Sequence, residues 1–238
     1  MGETVGFRSL TEGEEICDMD EAGPFSPKVS ATLARLHAEA RGDVWRFLPL
    51  LPRMLLTLLP GKSLMKVVSP SDLGHAFMGV SREEGTLLYA VARSIKAQRI
   101  VEFGSSFGIG TLYLAAAARD NGGELITTEI ISAKCRATEA NLEEAGLLDF
   151  AKILEGDALE SLKGVEAPID MVFLDGWKDL YVAVLELLKP KLLPGAVLIA
   201  DNVNMSDAKP YTDLVRAKGS GFVSVRLNKK TEYSCFVG

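Results

Sequence analysis

The chain lacks several features that would assign it to a class directly. Its 238 residues include three cysteines, far apart and without CxxC spacing, so neither a disulfide framework nor a zinc site is indicated, and we expect a reducing, cytoplasmic setting. The net charge is −6 with no basic block, which argues against a nucleic-acid-binding protein. No internal repeat or low-complexity tract is visible, so small-molecule chemistry is the better expectation.

The N-terminal part also lacks the usual signals for secretion and membrane insertion. Residues 1–10 have no charged region followed by an apolar core, as a signal peptide would. The most apolar segment, residues 44–60, carries two arginines and is interrupted by Pro49 and Pro52, so it is too short and too broken to span a bilayer. We expect short helices that pack on the core or join two subunits of a homodimer; a substrate lid and an interfacial anchor are the alternatives.

The pattern divides the chain into three parts. Residues 1–22 carry seven acidic side chains and one arginine, and we expect a mobile acidic tail. Residues 23–75 predict a helical extension, with a serine-capped helix over residues 30–41. Residues 76–238 predict one α/β domain, large enough to bury a full core.

A capping box marks the beginning of this domain. Ser81 with Glu84 predicts a helix start. The helix should present an apolar side consisting of Leu87, Leu88, Val91 and Ile95. Helical patterns recur later at residues 111–120, 132–146 and 182–193.

Apolar runs alternate with these helices. They occupy residues 99–103, 124–130, 151–156, 169–175 and 196–201. Five strands joined by helices predict a Rossmann-like parallel sheet with right-handed crossovers and helices on both faces. Residues 221–227 and 232–238 have no helix between them, so they predict a C-terminal antiparallel hairpin at the edge of the sheet.

The first strand leads directly into a glycine-rich loop. Glycines at 104, 108 and 110 allow a turn that no β-carbon obstructs, and the following helix offers free N–H groups to a ligand. A dinucleotide fingerprint reads G-x-G-x-x-G, whereas this loop reads G-x-x-x-G-x-G and places Glu102 two residues before its first glycine. An acid at that position suits a ligand with an ammonium group better than a pyrophosphate.

Two more acids follow the next two strands. Glu129 ends the second strand, where a Rossmann acid binds ribose hydroxyls. Asp157, followed by Ala158, ends the third strand. A structural βα turn would explain the glycine loop by itself, but the loop and both acids occupy three successive strand ends, where an adenosine with an amino-acid tail would lie.

On these residues the chain resembles the class I S-adenosylmethionine-dependent methyltransferases. In that family the E-x-G-x-x-x-G loop surrounds the methionine part of the cofactor, the second-strand acid binds the ribose, and the third-strand acid lies near the adenine. The resemblance implies S-adenosylmethionine as the cofactor. The residues implied to bind it are Glu102, Gly104, Ser105, Ser106, Gly108, Gly110, Glu129, Asp157 and Ala158.

Polar residues also follow the fourth and fifth strands. Asp175 ends the fourth, and Asp201 with Asn202 ends the fifth, so these side chains should converge beside the cofactor. Two carboxylates and an amide are hard oxygen ligands that suit Mg²⁺. A single strand-terminal aspartate is often only a cap, but the pair favours a metal site.

Trp177 and Lys178 follow Asp175 closely. Lys178 lies about one helical turn beyond that aspartate and can face the same pocket. A divalent cation nearby would lower the pKa of its ammonium group, which makes it a candidate general base; an ordinary exposed lysine is the alternative. Trp177 either belongs to the core or packs on the adenine.

Residues 172–181 with 198–202 resemble the catechol O-methyltransferase family closely, as do residues 78–85 and the closing hairpin. The resemblance implies that Asp175, Asp201 and Asn202 hold Mg²⁺ beside a bound diol, that Lys178 removes the hydroxyl proton, and that Met78 lines the site. It also implies that Glu232 accepts a hydrogen bond from the second hydroxyl. A surface acid of the hairpin is the alternative for Glu232.

The implied activity is Mg²⁺-dependent methyl transfer to one hydroxyl of a small catechol-like vicinal diol. Two departures from the family pattern affect the cofactor pocket: Gly176 replaces a bulkier residue, and Gly110 stands where a hydroxyl residue could contact the cofactor. The alternatives are methylation of a caffeoyl ester or flavonoid, passive adenosine-ligand binding, and a nicotinamide dehydrogenase. The loop spacing argues against the dehydrogenase, and the intact Asp, Asp, Asn and Lys set argues against the passive binder.

Overall fold

A computed structural model describes most of the chain. The described residues are 25–41, 67–69, 72 and 79–238. The expected acidic tail, the apolar segment and Met78 lie outside them, so those expectations, the domain limits and the homodimer stay predictions. Within the described ranges, no helix is both long enough and apolar enough to cross a membrane.

A seven-stranded sheet forms the centre of the described part. Its strands are β1 (Arg99–Phe103), β2 (Glu124–Glu129), β3 (Ala151–Glu155), β4 (Ile169–Leu174), β5 (Leu192–Ala200), β6 (Phe222–Arg226) and β7 (Glu232–Phe236). The order is β3-β2-β1-β4-β5-β7-β6. The first five strands are parallel, and β7 pairs antiparallel with both β5 and β6. The predicted Rossmann-like sheet with an edge hairpin is confirmed.

Helices pack on both faces of the sheet. They are α1 (Pro27–Arg41), α2 (Arg82–Ser94), α3 (Ile109–Asn121), α4 (Ser132–Ala145), α5 (Ala158–Ser161), α6 (Tyr181–Leu188) and α7 (Lys209–Arg216). Buried residues of α1 to α4 form one core, represented by Leu36, Leu88 and Leu112. Residues of α6 and α7 form the other core, represented by Leu185 and Val215.

The helices differ from the sequence prediction at several places: α3 begins at Ile109 rather than at residue 111, and the short helix α5 was not predicted. Helix α1 begins at Pro27 rather than Ser30, because Ser26 is the cap: its hydroxyl accepts the N–H of Val29 at 3.4 Å. Helix α6 ends at Leu188, since a 3₁₀ turn containing Pro190 intervenes and residues 192–193 already belong to β5. Helix α7 was not predicted.

The capping box of α2 is confirmed in both directions. The Ser81 hydroxyl accepts the N–H of Glu84 at 3.2 Å, and a Glu84 carboxylate oxygen accepts the N–H of Ser81 at 3.0 Å. The buried side of the helix is rotated from the predicted one. It consists of Gly85, Leu88, Tyr89 and Ala92, while Leu87, Val91 and Ile95 are half-buried.

Candidate active site

An open cleft of about 780 Å³ lies at the carboxyl ends of β1 to β4. That volume includes the opening of the cleft to solvent. Six predicted cofactor residues and one predicted metal ligand line it: Gly104, Ser106, Glu129, Asp157, Ala158, Trp177 and Asp175. The structure therefore brings together side chains from four successive strand ends, as the parallel topology requires.

Two glycines at the base of the cleft allow the backbone there to pack closely. Gly104 has a φ of +96°, and a Cβ there would lie 2.6 Å from the Cα of Gly176. A Cβ on Gly176 would in turn lie 2.6 Å from the Phe103 ring. The ends of β1 and β4 approach closely because both positions are glycine, which gives Gly176 a local structural reason.

Glu129 is held firmly at the end of β2. One carboxylate oxygen accepts the N–H groups of Ile130 at 2.9 Å and Ile131 at 3.0 Å, and the other accepts the N–H of Ser106 at 3.0 Å. A carboxylate has lone pairs beyond these three bonds. Glu129 therefore links the glycine loop to β2 and keeps acceptor capacity for a ligand hydroxyl.

Asp157 lies at the corresponding place on the third strand. Its carboxylate accepts the N–H of Leu159 at 2.8 Å and caps the short helix α5. This cap holds Asp157 and Ala158 at the cleft wall, while Trp177 and Leu180 form another part of that wall. An apolar and aromatic surface beside a carboxylate suits a base such as adenine.

Four predicted cofactor residues do not line the cleft: Glu102, Ser105, Gly108 and Gly110. Glu102 is buried, and one of its oxygens accepts the hydroxyls of Thr111 and Thr127, both at 2.6 Å. Burial raises the pKa of this carboxyl to about 7. A Cβ at Gly110 would lie 2.8 Å from the other Glu102 oxygen, so Gly110 makes room for the buried acid. Cofactor contact stays a prediction for these four residues.

Asp175, Asp201 and Asn202 meet at the ends of β4 and β5, as predicted. The Asn202 amide nitrogen donates to Asp201 Oδ2 at 2.8 Å and to Asp175 Oδ1 at 3.3 Å. Burial raises the pKa of Asp175 to about 6, Lys178 opposes that rise, and Asp201 adds to it. Two carboxylates in one desolvated place disfavour each other's charged form, and a bound cation relieves this repulsion.

The donor chemistry of these three side chains fits Mg²⁺. Two carboxylates and an amide oxygen are hard ligands, and Mg²⁺ commonly takes one or two carboxylates and completes its shell with water and substrate oxygens. Over the described ranges, no group of three or more His, Cys, Asp or Glu side chains is arranged to hold a metal. Asp175 and Asp201 are the carboxylates that such an ion would use; Asn202 faces both with its amide nitrogen and would present its oxygen only after a half-turn of the amide group.

Lys178 lies beside this group. It begins the 3₁₀ turn Lys178–Leu180, its side chain is only 6% exposed, and its Nζ lies 3.0 Å from Asp175 Oδ1. The Tyr181 hydroxyl donates to the backbone oxygens of Leu174 at 2.8 Å and Asp201 at 3.0 Å. Tyr181 therefore ties the ends of β4 and β5 together beneath the lysine.

Glu232 is not where the sequence predicted it. It is fully buried; Arg216 donates to both of its carboxylate oxygens at 2.6 and 2.7 Å, and Arg226 donates at 2.8 Å. Successive side chains of a strand point to opposite faces. Thr231 donates to Asp201, so Glu232 points to the other face, toward α7. It is neither a diol acceptor nor a surface acid.

Sequence reasoning missed a second lysine beside the metal ligands. Lys230 Nζ lies 2.7 Å from Glu84 Oε1 and 3.3 Å from Asp201 Oδ2. The predicted C-terminal hairpin was the feature of the sequence that could have indicated the position of Lys230. Because β7 pairs with β5, the turn before β7 must lie beside the residues that follow β5.

Comparisons with known proteins agree with this geometry. Residues 101–203 match the family described as methyltransferase domain. The catechol O-methyltransferase of Sus scrofa is 30% identical over 168 residues, which is 67% of this chain and 89% of that protein. The catechol O-methyltransferase of Mycobacterium tuberculosis is 32% identical over 127 residues, which is 53% of this chain and 57% of that protein.

The fold is also similar to that of a solved O-methyltransferase. The crystal structure of an O-methyltransferase from Bacillus cereus in complex with SAH superimposes with a TM-score of 0.65 at 21% identity, covering 92% of this chain and 94% of that one. The chain belongs to the class I S-adenosylmethionine-dependent O-methyltransferases. The matched region spans between 57% and 62% of the first three curated relatives.

Several cleft residues of this O-methyltransferase had no signal in the sequence. They are Phe103, Thr128, Ile130, Ile131, Lys134, Gly156 and Leu180. Lys134 is the least expected, because it is a lysine on α4 with only 3% exposure. Its ammonium lies 5.3 Å from the centroid of the Phe107 ring, so the folded loop shields a charge that a surface helix would normally present to water.

Proposed function

We propose that the chain transfers a methyl group from S-adenosylmethionine to one hydroxyl of a catechol-like vicinal diol, with Mg²⁺ beside the diol. One observation carries the proposal. Asp175 lines the cleft that Glu129 and Asp157 also line, and it is bonded at the same time to Lys178 and Asn202. A cofactor cleft and a hard-oxygen ligand set thus share one carboxylate.

On the cofactor side, the residues have separable tasks. S-adenosylmethionine supplies a methyl group on a positively charged sulfonium. Glu129 accepts the ribose hydroxyls, while Asp157 and Trp177 flank the adenine. Gly104 leaves the end of β1 open to the methionine part, and Ser106 continues that wall.

On the metal side, charge decides the arrangement. Bound Mg²⁺ would lower the pKa of two adjacent hydroxyls and hold them in register. Asp175 and Asp201 contribute two negative charges, and Asn202 contributes a neutral oxygen. This charge balance leaves the site able to accept a substrate oxyanion opposite a sulfonium.

Lys178 is the proton acceptor in this proposal. A phenolic hydroxyl has a pKa of about 10 and is mostly neutral at pH 7, so it is a poor nucleophile. Nζ of Lys178 takes the proton, the O–H bond breaks, and the electron pair stays on oxygen. Asp175 at 3.0 Å stabilises the resulting ammonium.

Positioning completes the reaction. The oxyanion displaces the sulfur from the methyl carbon in line, forming the O–CH₃ bond. Holding both reactants in this geometry supplies up to roughly 7–11 kcal/mol through effective molarity. The hydrogen bonds of Tyr181 and Glu129 keep the strand ends that carry both reactants fixed.

The test is kcat/KM for catechol against phenol, with saturating S-adenosylmethionine and Mg²⁺. A vicinal diol offers two adjacent oxygens and phenol offers one, so we expect catechol to give a monomethyl ether and phenol to react at least about 10²-fold more slowly. The dimethyl ether should be inert. Comparable kcat/KM values for catechol and phenol would exclude a vicinal diol as the required substrate class but would remain consistent with methyltransferase activity.

A second arm of the same assay ranks larger diols. A caffeoyl ester and a flavonoid carry the same pair of adjacent hydroxyls, so the metal arrangement accepts them equally well. Their kcat/KM relative to catechol decides the substrate class. Parallel incubation with NAD, followed by native mass spectrometry, should show no dinucleotide complex if the glycine loop is interpreted correctly.

A further inference from the structure

Lys230 has no task in the reaction proposed above, yet it lies beside a proposed metal ligand. Its ammonium is 3.3 Å from Asp201 Oδ2 and 2.7 Å from Glu84 Oε1. The side chain of Lys230 is 39% exposed and that of Glu84 is 13% exposed. The contact therefore lies at a partly open edge of the site.

Both partners of Lys230 are fixed by other bonds. Glu84 is held at the start of α2 because its Oε2 accepts the N–H of Ser81 in the capping box. Asp201 Oδ1 accepts the Thr231 hydroxyl at 3.4 Å. The Lys230 carbonyl oxygen accepts the N–H of Val203 at 2.8 Å. The ammonium group of Lys230 thus lies between two carboxylates, each of which accepts another hydrogen bond.

One Asp201 oxygen receives more than one donor. Oδ2 accepts the Asn202 amide at 2.8 Å and the Lys230 ammonium at 3.3 Å. A divalent ion bound by Asp201 would have to share this carboxylate with a positive side chain. Two positive charges drawn to one carboxylate repel each other, so Lys230 would oppose the ion. Glu84 reduces that opposition by drawing the ammonium toward itself.

We propose that Lys230 is a positioning residue that weakens the hold of Asp201 on its divalent ion, and that Glu84 sets how strongly it does so. This inference rests on the proposed function, because it takes Asp201 as a metal ligand. The pair sets the affinity of the ion site through its charges.

The proposal predicts effects of opposite sign. Lys230→Met should bind the ion more tightly, and Glu84→Gln should bind it more weakly, because Gln no longer restrains the ammonium. Residues that support metal ligands typically change metal affinity by 10–100-fold, and we expect about tenfold in each direction. Because Glu84 acts through the Lys230 ammonium, the double variant should bind the ion about as tightly as Lys230→Met. A purely structural role would weaken binding in all three.

The variants are chosen to keep the fold. Glutamine serves in a capping box as glutamate does, so Glu84→Gln keeps the start of α2. Lys229→Met is the matched control, since it removes the same charge from the neighbouring residue, whose side chain is exposed. We expect less than a twofold change for it.

The measurement is the dissociation constant of Mn²⁺, used as the probe ion, by electron paramagnetic resonance on the full chain without substrate. Unchanged or weaker binding in Lys230→Met, or an equal gain in Lys229→Met, would overturn the proposal. Asp201→Ala distinguishes failure of the metal site from failure of its tuning by Lys230. If Asp201→Ala binds Mn²⁺ as well as the parent chain, the metal site and the tuning both fail; if binding needs Asp201 but ignores Lys230, only the tuning fails.

Discussion

Two groups of buried carboxylates lie near the β5–β7 edge of the sheet, and their charge balance is opposite. Among the described residues, the acids around Asp175 and Asp201 outnumber the bases, because Glu84 joins the two aspartates while Lys178 and Lys230 are the paired lysines. Around Glu232 one carboxylate is held by two guanidinium groups. The first group has more acidic than basic side chains, which is the charge balance that the proposed cation site requires, whereas the single acid of the second group is outnumbered by its two arginines.

The type of base differs as well. Lysine presents a compact ammonium on a flexible stem and can give up its proton, whereas arginine holds carboxylates in a planar fork and stays charged. A lysine-paired acid can take part in ligand exchange and proton transfer. An arginine-clamped acid suits a fixed structural role. Substitutions in the first group should therefore affect a different property of the protein from substitutions in the second group.

The largest effect is expected from Asp201→Ala. It removes both a charge and a ligand from the proposed ion site. A catalytic metal contributes several kcal/mol to transition-state stabilisation, which corresponds to a loss of roughly 10³-fold in kcat/KM. EDTA should have the same effect on the parent chain, with recovery on added Mg²⁺. Asn202→Ala should lose less, since the ion keeps both carboxylates.

A surface acid provides the comparison for Asp201. Asp213 forms an exposed ion pair with Lys209, and Asp213→Ala should leave kcat/KM within about twofold of the parent, as surface changes away from special features do. Full turnover of the parent chain in EDTA would contradict the metal hypothesis for the first group.

The next effect concerns the lysine of the first group. Lys178→Ala should lower kcat by roughly 10²–10⁴-fold, the usual contribution of a general base, with cofactor affinity almost unchanged. Lys178→Arg should not restore activity, because a guanidinium does not give up its proton at neutral pH. Single-turnover kinetics at pH 7 and isothermal titration with S-adenosylmethionine measure the two quantities. An unchanged rate of methyl transfer would assign the proton to water instead.

A smaller effect, on stability rather than rate, is expected in the second group. Glu232→Gln leaves two arginines facing a neutral amide in a fully buried position. Both arginines are partly exposed, so the loss should be below the 3–5 kcal/mol typical of a fully buried pair, at about 2 kcal/mol. In a chain of this size that lowers Tm by roughly 4–8 °C.

Calorimetry and steady-state kinetics on the same sample test this separation. Glu160→Gln is the control, because Glu160 pairs with Lys163 on the surface and exposed pairs contribute little. A large fall in kcat/KM for Glu232→Gln with unchanged Tm would return Glu232 to the substrate site. It would also remove the distinction between the two groups.

The sheet was predictable because each strand carries its own local signal. The strands fell within two residues of the prediction except at the start of β5, and their parallel order followed from the helices between them. That order alone placed Asp175, Asp201 and Asn202 together. The metal hypothesis needed nothing else from the structure, since parallel strand ends share one edge.

Glu232 was not predictable for a physical reason. Its partners come from different elements: Arg226 from β6 and Arg216 from α7. The sequence pattern did not reveal α7, so it gave no indication of which face of the hairpin a helix covers. Strand alternation shows that neighbouring side chains point to opposite faces, but only the position of α7 decides which of them is buried. Glu102 shows the same limit, because its threonine partners are set by packing.

The last and smallest prediction concerns that buried acid. Burial raises the pKa of Glu102 to about 7, whereas the unfolded chain has the ordinary value near 4.5. The folded state therefore binds this proton more strongly. The stability it contributes is complete below about pH 4.5 and is lost as the pH rises through about 7.

Glu102→Gln should remove this dependence, because an amide oxygen still accepts from Thr111 and Thr127 without any charge to desolvate. Relative to the parent chain, the free energy of unfolding of the variant should rise between pH 4.5 and 7 and then level off. The rise should be about 1–3 kcal/mol. Asp175, whose raised pKa of about 6 falls in the same window, is present in both proteins but interacts with Glu102, so the difference reports Glu102 together with this interaction. Urea denaturation at half-unit intervals of pH measures that difference. If the difference in the free energy of unfolding between variant and parent did not change with pH, Glu102 would be ionised in the folded state. A positively charged partner would then have to compensate its charge.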